Sequence, residues 1–176
     1  MLSLNFTPFP ILTTERLILR PITMSDDETM FLLRTDDEVN KYTGIQKPGS
    51  IRDIHTFIHK LIANVVNNEA LFWVISLKDD PALIGTFCFW NINKETGTGE
   101  IGYTLLPAHW GKGYMHEVMQ VAMEYGKETM QLKTTEAYTH KDNTASKKLL
   151  EKNGFILDPN KKAEEDENLI VYVSNL

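Results

Sequence analysis

Across residues 16–22 apolar and polar positions alternate, the period of a strand with one buried face. Ser25 then stands three residues before Glu28, a capping-box spacing that predicts a helix start. Ser50 and Asp53 repeat that spacing, and Ile54, Phe57, Ile58, Leu61, Ile62 and Val65 follow with a helical period. Residues 71–77 and 83–90 read as strands joined by a turn at Asp79, Asp80 and Pro81. Residues 93–99 form a turn and 100–105 alternate again, so the three strands make an antiparallel meander. Residues 114–129 carry Val118, Ala122 and Tyr125 along one helical stripe, and 132–139 read as a strand. Residues 143–153 form a helix that stops at Gly154, a usual position for a terminating glycine. Residues 155–157 and 169–173 close the sheet around a polar loop at 158–168.

This order places residues 100–139 in a β-α-β unit with two parallel strands side by side. Inside the unit, Trp110-Gly111-Lys112-Gly113-Tyr114-Met115-His116 runs from a turn with two close glycines into a helix start. Outward-facing N–H groups and the positive end of a helix dipole make such a turn an anion cradle. Residues 111–116 are therefore expected to bind a phosphorylated ligand. The sequence has no G-x-x-x-x-G-K-S/T run, and His116 stands where a dinucleotide fingerprint needs its third glycine. A turn of this kind also occurs simply as the end of a strand, and that reading stands beside the first.

The 176 residues suit one domain with a core of its own, residues 1–176. Pro8 and Pro10 interrupt the only apolar stretch near the start, so no signal peptide is expected, and no run is long enough to span a bilayer. The single cysteine, Cys88, cannot form an internal disulfide, which fits a cytoplasmic protein. A net charge of -6 argues against non-specific nucleic-acid binding and suits cationic partners.

Three stretches, in order and spacing, carry a resemblance that covers essentially the whole chain. They are Thr14-Glu15-Arg16-Leu17-Ile18-Leu19-Arg20, then Glu100-Ile101-Gly102-Tyr103 with Trp110-Gly111-Lys112-Gly113-Tyr114, then Asn143-Thr144-Ala145-Ser146 with Leu149-Leu150-Glu151-Lys152-Asn153-Gly154-Phe155. Together they resemble the GNAT acyltransferase superfamily, and within it the RimJ/RimL ribosomal-protein-alanine N-acetyltransferases. The resemblance implies an α/β (α+β) fold. Its mixed, mainly antiparallel sheet has about seven strands, splayed between two parallel ones and flanked by about four helices. It implies acetyl-coenzyme A as co-substrate, no metal, and a primary amine acceptor attacking directly in a ternary complex. That acceptor is a protein N-terminus or a small amine such as a polyamine or aminoglycoside. A non-catalytic acyl-coenzyme A sensor is the alternative of a different class. Family members often form homodimers, although no exposed stripe in the sequence argues for one.

The implied site is specific. Backbone groups of Glu100, Ile101, Gly102, Tyr103, Thr104 and Leu105 meet pantetheine and thioester, and the turn from Trp110 through His116 holds pyrophosphate. Glu100 is the candidate base, because an amine attacks only when neutral; its other reading is a solvated edge carboxylate. Ser146 is the candidate donor to the leaving sulfur, since Leu150 stands where many members carry an acidic Tyr. Its other reading is a helix-end serine. Asn143 is expected to cap that helix and to contact pantetheine. Met115 and His116 replace smaller family residues. Met115 either crowds the phosphates or points into the core, and His116 either meets a phosphate or stands exposed. His55 and His59 share a metal-compatible spacing but lack a third ligand, so they read as surface residues or acceptor contacts. Cys88 reads as packing. The Glu164-Glu165-Asp166-Glu167 run reads as a solvated loop that, in this family, lies near the acceptor.

Overall fold

The computed structural model describes residues 1–163 and 166–176. The acidic run thus falls partly outside the described residues, at Glu164 and Glu165. Among the described residues, eight strands form one sheet: β1 (Leu12–Thr13), β2 (Leu17–Arg20), β3 (Leu71–Leu77), β4 (Asp80–Asn93), β5 (Thr98–Leu105), β6 (Thr134–His140), β7 (Ile156–Leu157) and β8 (Leu169–Asn175). Their spatial order is β1-β2-β3-β4-β5-β6-β8-β7. Neighbours are antiparallel except β5 and β6, and a parallel pair needs a crossover. The helices among the described residues are α1 (Asp27–Thr35), α2 (Asp37–Asn40), α3 (Ile51–Val66), α4 (Tyr114–Glu128) and α5 (Thr144–Lys152), with α4 supplying that crossover. Among the described residues, no helix is long and apolar enough to cross a membrane.

Period two sorts β3 between two cores. Leu71, Trp73 and Ile75 join Phe87, Phe89 and Ile101 under Val118, Met119 and Ala122 of α4 and Leu150 of α5. Phe72 and Val74 pack instead against Met30 and Leu33 of α1 and Ile54 and Ile58 of α3. Both faces of β3 are therefore covered.

The expected meander, the β-α-β unit and the Ser50 helix start are all present. The Asp53 carboxylate accepts from the Ser50 N–H at 3.0 Å and the Gly49 N–H at 2.9 Å. One expectation needs correction. The first helix does not start at Ser25 with Glu28. A 3-10 turn over Met24–Asp26 precedes α1, which moves the box to Thr23 and Asp26. The sheet gains β1, a two-residue strand too short to show a period, and the helices gain α2, opened where Asp36 Oδ1 accepts from the Val39 N–H at 2.9 Å.

Asp26 is buried at 6% exposure and takes two bonds from the Arg20 guanidinium, at 3.0 and 2.7 Å. Burial alone would raise its carboxyl, but the Arg20 and Thr23 hydrogen bonds hold it below the ordinary carboxylate value. Its folded value being depressed, its stabilisation is complete above the unfolded value and is lost as pH falls through the folded one. Asp26→Asn is expected to cost about 2–3 kcal/mol at pH 7, the usual size for a bond to a charged group. Urea midpoints of both forms at pH 7 and below pH 4 should converge in acid; a constant difference would assign the loss to packing.

Candidate functional site

The site grows from a fault in the sheet. β5 and β6 pair only at Thr98↔Thr134, Gly99↔Thr135 and Glu100↔Glu136. Beyond that rung, residues 101–105 keep pairing with β4 and residues 137–140 with β8. One edge of each strand thus faces a widening gap, and its backbone polar groups must find partners other than each other.

At the end of β5, Trp110 Nε1 donates to the Leu105 carbonyl at 2.8 Å, fixing the exit of the turn. Gly111 and Gly113 adopt φ of +72° and +80°, the left-handed region that side chains disfavour, and a β-carbon on Gly111 would meet nothing within 4 Å. The first intrahelical bonds of α4 run from the His116 and Glu117 N–H groups to the Gly113 carbonyl. The N–H groups of Tyr114 and Met115 lie ahead of them and point out of the helix end. Met115 itself is 7% exposed and belongs to the core, so it does not crowd the turn. His116 is not an exposed histidine: it is half-buried, with Nδ1 2.8 Å from Asn153 Oδ1. Lys112 is exposed.

Arg16 holds this turn from β2's side, a role the sequence reading missed. Its Nη2 donates to the Lys112 carbonyl at 2.9 Å, its Nε to Glu117 at 2.6 Å, and its guanidinium lies 4.5 Å from the Tyr114 ring centre. Thr14 Oγ1 donates to the same Glu117 at 2.7 Å. Burial would raise the Glu117 carboxyl, but Thr14 and Arg16 hold it below its ordinary value. Only the Thr14-Glu15-Arg16 stretch hinted at this, without naming a partner.

Across the gap, Asn143 Oδ1 accepts from the Ser146 N–H at 3.1 Å, the expected helix cap. Ser146 is half-buried, and its Oγ lies 2.7 Å from the Tyr103 hydroxyl of β5. Leu150 is wholly buried in the core. Ile101 is 4% exposed and Tyr103 stacks on Phe87, so β5 turns these two toward one core. Glu100, Gly102 and Thr104 take the other face, where Thr104 Oγ1 bonds Thr86 Oγ1 at 2.8 Å.

Glu100 is half-buried and opposes Trp90 on β4 and Glu136 on β6. Both carboxylates line an open cleft of about 290 Å³ with Asn91, Asn93, Thr96 and Thr98. Glu136 pairs with Lys161 and accepts from the Tyr138 hydroxyl at 3.1 Å. The sequence reading did not find Glu136, because a parallel register joins residues far apart in the chain.

The remaining candidates stand apart. His55 Nε2 lies 2.7 Å from Asp27 Oδ2, and no metal-holding cluster of His, Cys, Asp or Glu occurs among the described residues. Burial pushes the Cys88 thiol up to about 12, which leaves it a packing residue rather than a nucleophile.

A family model described as an acetyltransferase (GNAT) domain matches residues 16–156. The uncharacterized N-acetyltransferase YoaA of Bacillus subtilis (strain 168) is 37% identical over 147 residues, 84% of this chain and 83% of the relative. An acetyltransferase structure from Agrobacterium tumefaciens str. C58 superposes with a TM-score of 0.81 at 25% identity, covering 99% of this chain and 98% of that one. The ribosomal L7/L12 alpha-N-protein acetyltransferase RimL, solved with coenzyme A, superposes at 0.83 with 18% identity, over 95% of this chain and 98% of that one. At that identity the likeness is one of fold.

Proposed function

The chain belongs to the GNAT acetyltransferase family and is an N-acetyltransferase of that type, and from this premise we propose that it moves the acetyl group of acetyl-coenzyme A onto a primary amine, foremost a protein N-terminal amine, within one domain over residues 1–176. The observation that carries the reading is the gap beyond Glu100 and Glu136, with a left-handed glycine turn on one side and the capped start of α5 on the other.

The open space at Gly111 and the outward N–H groups of Tyr114 and Met115 fit a pyrophosphate. In this reading residues 111–116 hold it, and Trp110 shapes their approach. The backbone edge of Ile101, Gly102, Tyr103, Thr104 and Leu105 that faces the gap, together with Asn143, takes the pantetheine amides. Bound acetyl-coenzyme A supplies an activated acyl carbon and a thiolate leaving group. Glu100 takes the proton that the acceptor ammonium must shed, through a water, and the Ser146 hydroxyl hydrogen-bonds the departing sulfur. The net charge of -6 suits a cationic acceptor. Coenzyme A in the RimL structure supports the co-substrate, and RimL's action on a ribosomal protein supports the N-terminal acceptor.

Thiol release from acetyl-coenzyme A tests this with three amines: a peptide beginning with alanine, a polyamine and an aminoglycoside. Turnover with the peptide is the expected result. Turnover with a small amine alone would move the acceptor to that class, and coenzyme A binding with no turnover would make the protein a sensor. Ser146→Ala is expected to lower kcat about tenfold, one hydrogen bond's worth, with the KM for acetyl-coenzyme A little changed because the lost contact belongs to the transition state. An unchanged kcat with chemistry rate-limiting would return Ser146 to a structural role.

A further inference from the structure

We place the backbone of Tyr103 against pantetheine, yet its side chain also bridges the gap. Its hydroxyl lies 2.7 Å from Ser146 Oγ, joining β5 to the first turn of α5. The ring is held by stacking on Phe87, with centroids 6.5 Å apart and planes 11° from parallel. The serine is held as firmly, because its N–H is committed to the Asn143 cap at 3.1 Å. Two hydroxyls are thus fixed against each other three residues past the last parallel rung.

We propose that Tyr103 is a positioning residue for acetyl transfer: its phenol donates to the Ser146 oxygen and so turns the serine's own hydrogen onto the leaving sulfur. This rests on the reading that Ser146 meets that sulfur. Each hydroxyl has one hydrogen and can accept as well as donate. A phenol is the more acidic donor, so an anion beyond the serine favours the order phenol, serine, sulfur. Donation into the serine oxygen also polarises its O–H and strengthens the outer bond. Burial pushes the phenol up to about 12, against the opposing bond to Ser146, so it stays protonated wherever a thiol ionises. The atoms balance without a proton leaving either hydroxyl. The amine nitrogen bonds the acyl carbon, and the carbon–sulfur bond breaks with its electron pair on sulfur. The ammonium sheds one proton to Glu100 through its water before attack, and the nitrogen loses a second to solvent water as the amide forms. The hydroxyl pair holds the thiolate by hydrogen bonding, and the positive end of α5 adds to it.

The test reads the thiol of bound coenzyme A directly. Thiolate absorbs in the ultraviolet, so its appearance is followed against pH in the coenzyme A complex, with the desulfo-coenzyme A complex as blank. In the parent protein the bound thiol should ionise about tenfold more readily than free coenzyme A, one bond to the charged form. Tyr103→Phe keeps the ring on Phe87 and should return most of that gain. Ser146→Ala should return all of it, and the double variant should match Ser146→Ala alone. A Tyr103→Phe complex that titrates like the parent, while Ser146→Ala does not, overturns the role of Tyr103 and leaves that of Ser146 intact. Parental titration in Ser146→Ala overturns both, and failure of coenzyme A to bind the parent overturns the acetyl-coenzyme A reading itself.

Discussion

Glu100→Gln is expected to slow acetyl transfer at neutral pH by about 10²–10⁴-fold, the usual worth of a positioned base. The substitution keeps the shape of a half-buried side chain on the face shared with Gly102 and Thr104, and removes only its ability to take a proton. Two further effects separate this from a folding defect. Raising the pH should restore part of the rate, because neutral amine then forms without help. Acetyl-coenzyme A affinity should hold, since the side chain lies away from the glycine turn. A pH–rate profile of both forms with one good amine substrate is the measurement. If the variant keeps the parental rate and the same acid limb, Glu100 is not the base. The register then points to Glu136 on the neighbouring strand, a poorer candidate because Lys161 and Tyr138 already engage its carboxylate.

Gly113→Val should weaken coenzyme A binding about 10- to 100-fold, the loss of a hydrogen bond or two to a charged phosphate. The residue sits at φ +80°, where a β-branched side chain is strained, and the new β-carbon would lie 3.5 Å from Arg16 Nη2. That contact is an ordinary one, so the strain lies in the backbone: the turn must leave its left-handed conformation, and with it the N–H groups at the start of α4 shift. Calorimetry on a variant shown to be folded by its thermal transition checks this. Unchanged affinity would remove the phosphates from residues 111–116.

What the sequence made legible follows from the range of each interaction. The stripe Ile54, Ile58, Leu61 and Val65 and the cap at Ser50 and Asp53 are local, and α3 appears where they placed it. The glycine turn and the Asn143 cap are local too. The start of α1 was misplaced because Ser25 with Glu28 and Thr23 with Asp26 compete within a few residues, and the Arg20–Asp26 pair favours the second. β3 shows no alternation because both of its faces are buried. The contacts that tie the site together are the illegible ones. Arg16 reaches Lys112, Tyr103 reaches Ser146, and Glu100 meets Glu136, each over tens of residues, so no spacing rule announces them. Met115 and His116 could be named as departures from the family, but only packing turned one into the core and the other onto Asn153.

A gap inside a sheet is also a pair of unsatisfied edges, and such edges are where β proteins recruit strands from other molecules and aggregate. Besides the rim edges at β1 and β7, this protein carries two of them at its centre. Because they diverge from a shared ladder of three rungs, an intruding strand can follow one edge only briefly before losing the other. The hydroxyl contact between Tyr103 and Ser146 stands in its path. The same divergence that we propose admits a slender thioester therefore disfavours a polypeptide strand, so one geometric device serves ligand access and guards against strand addition.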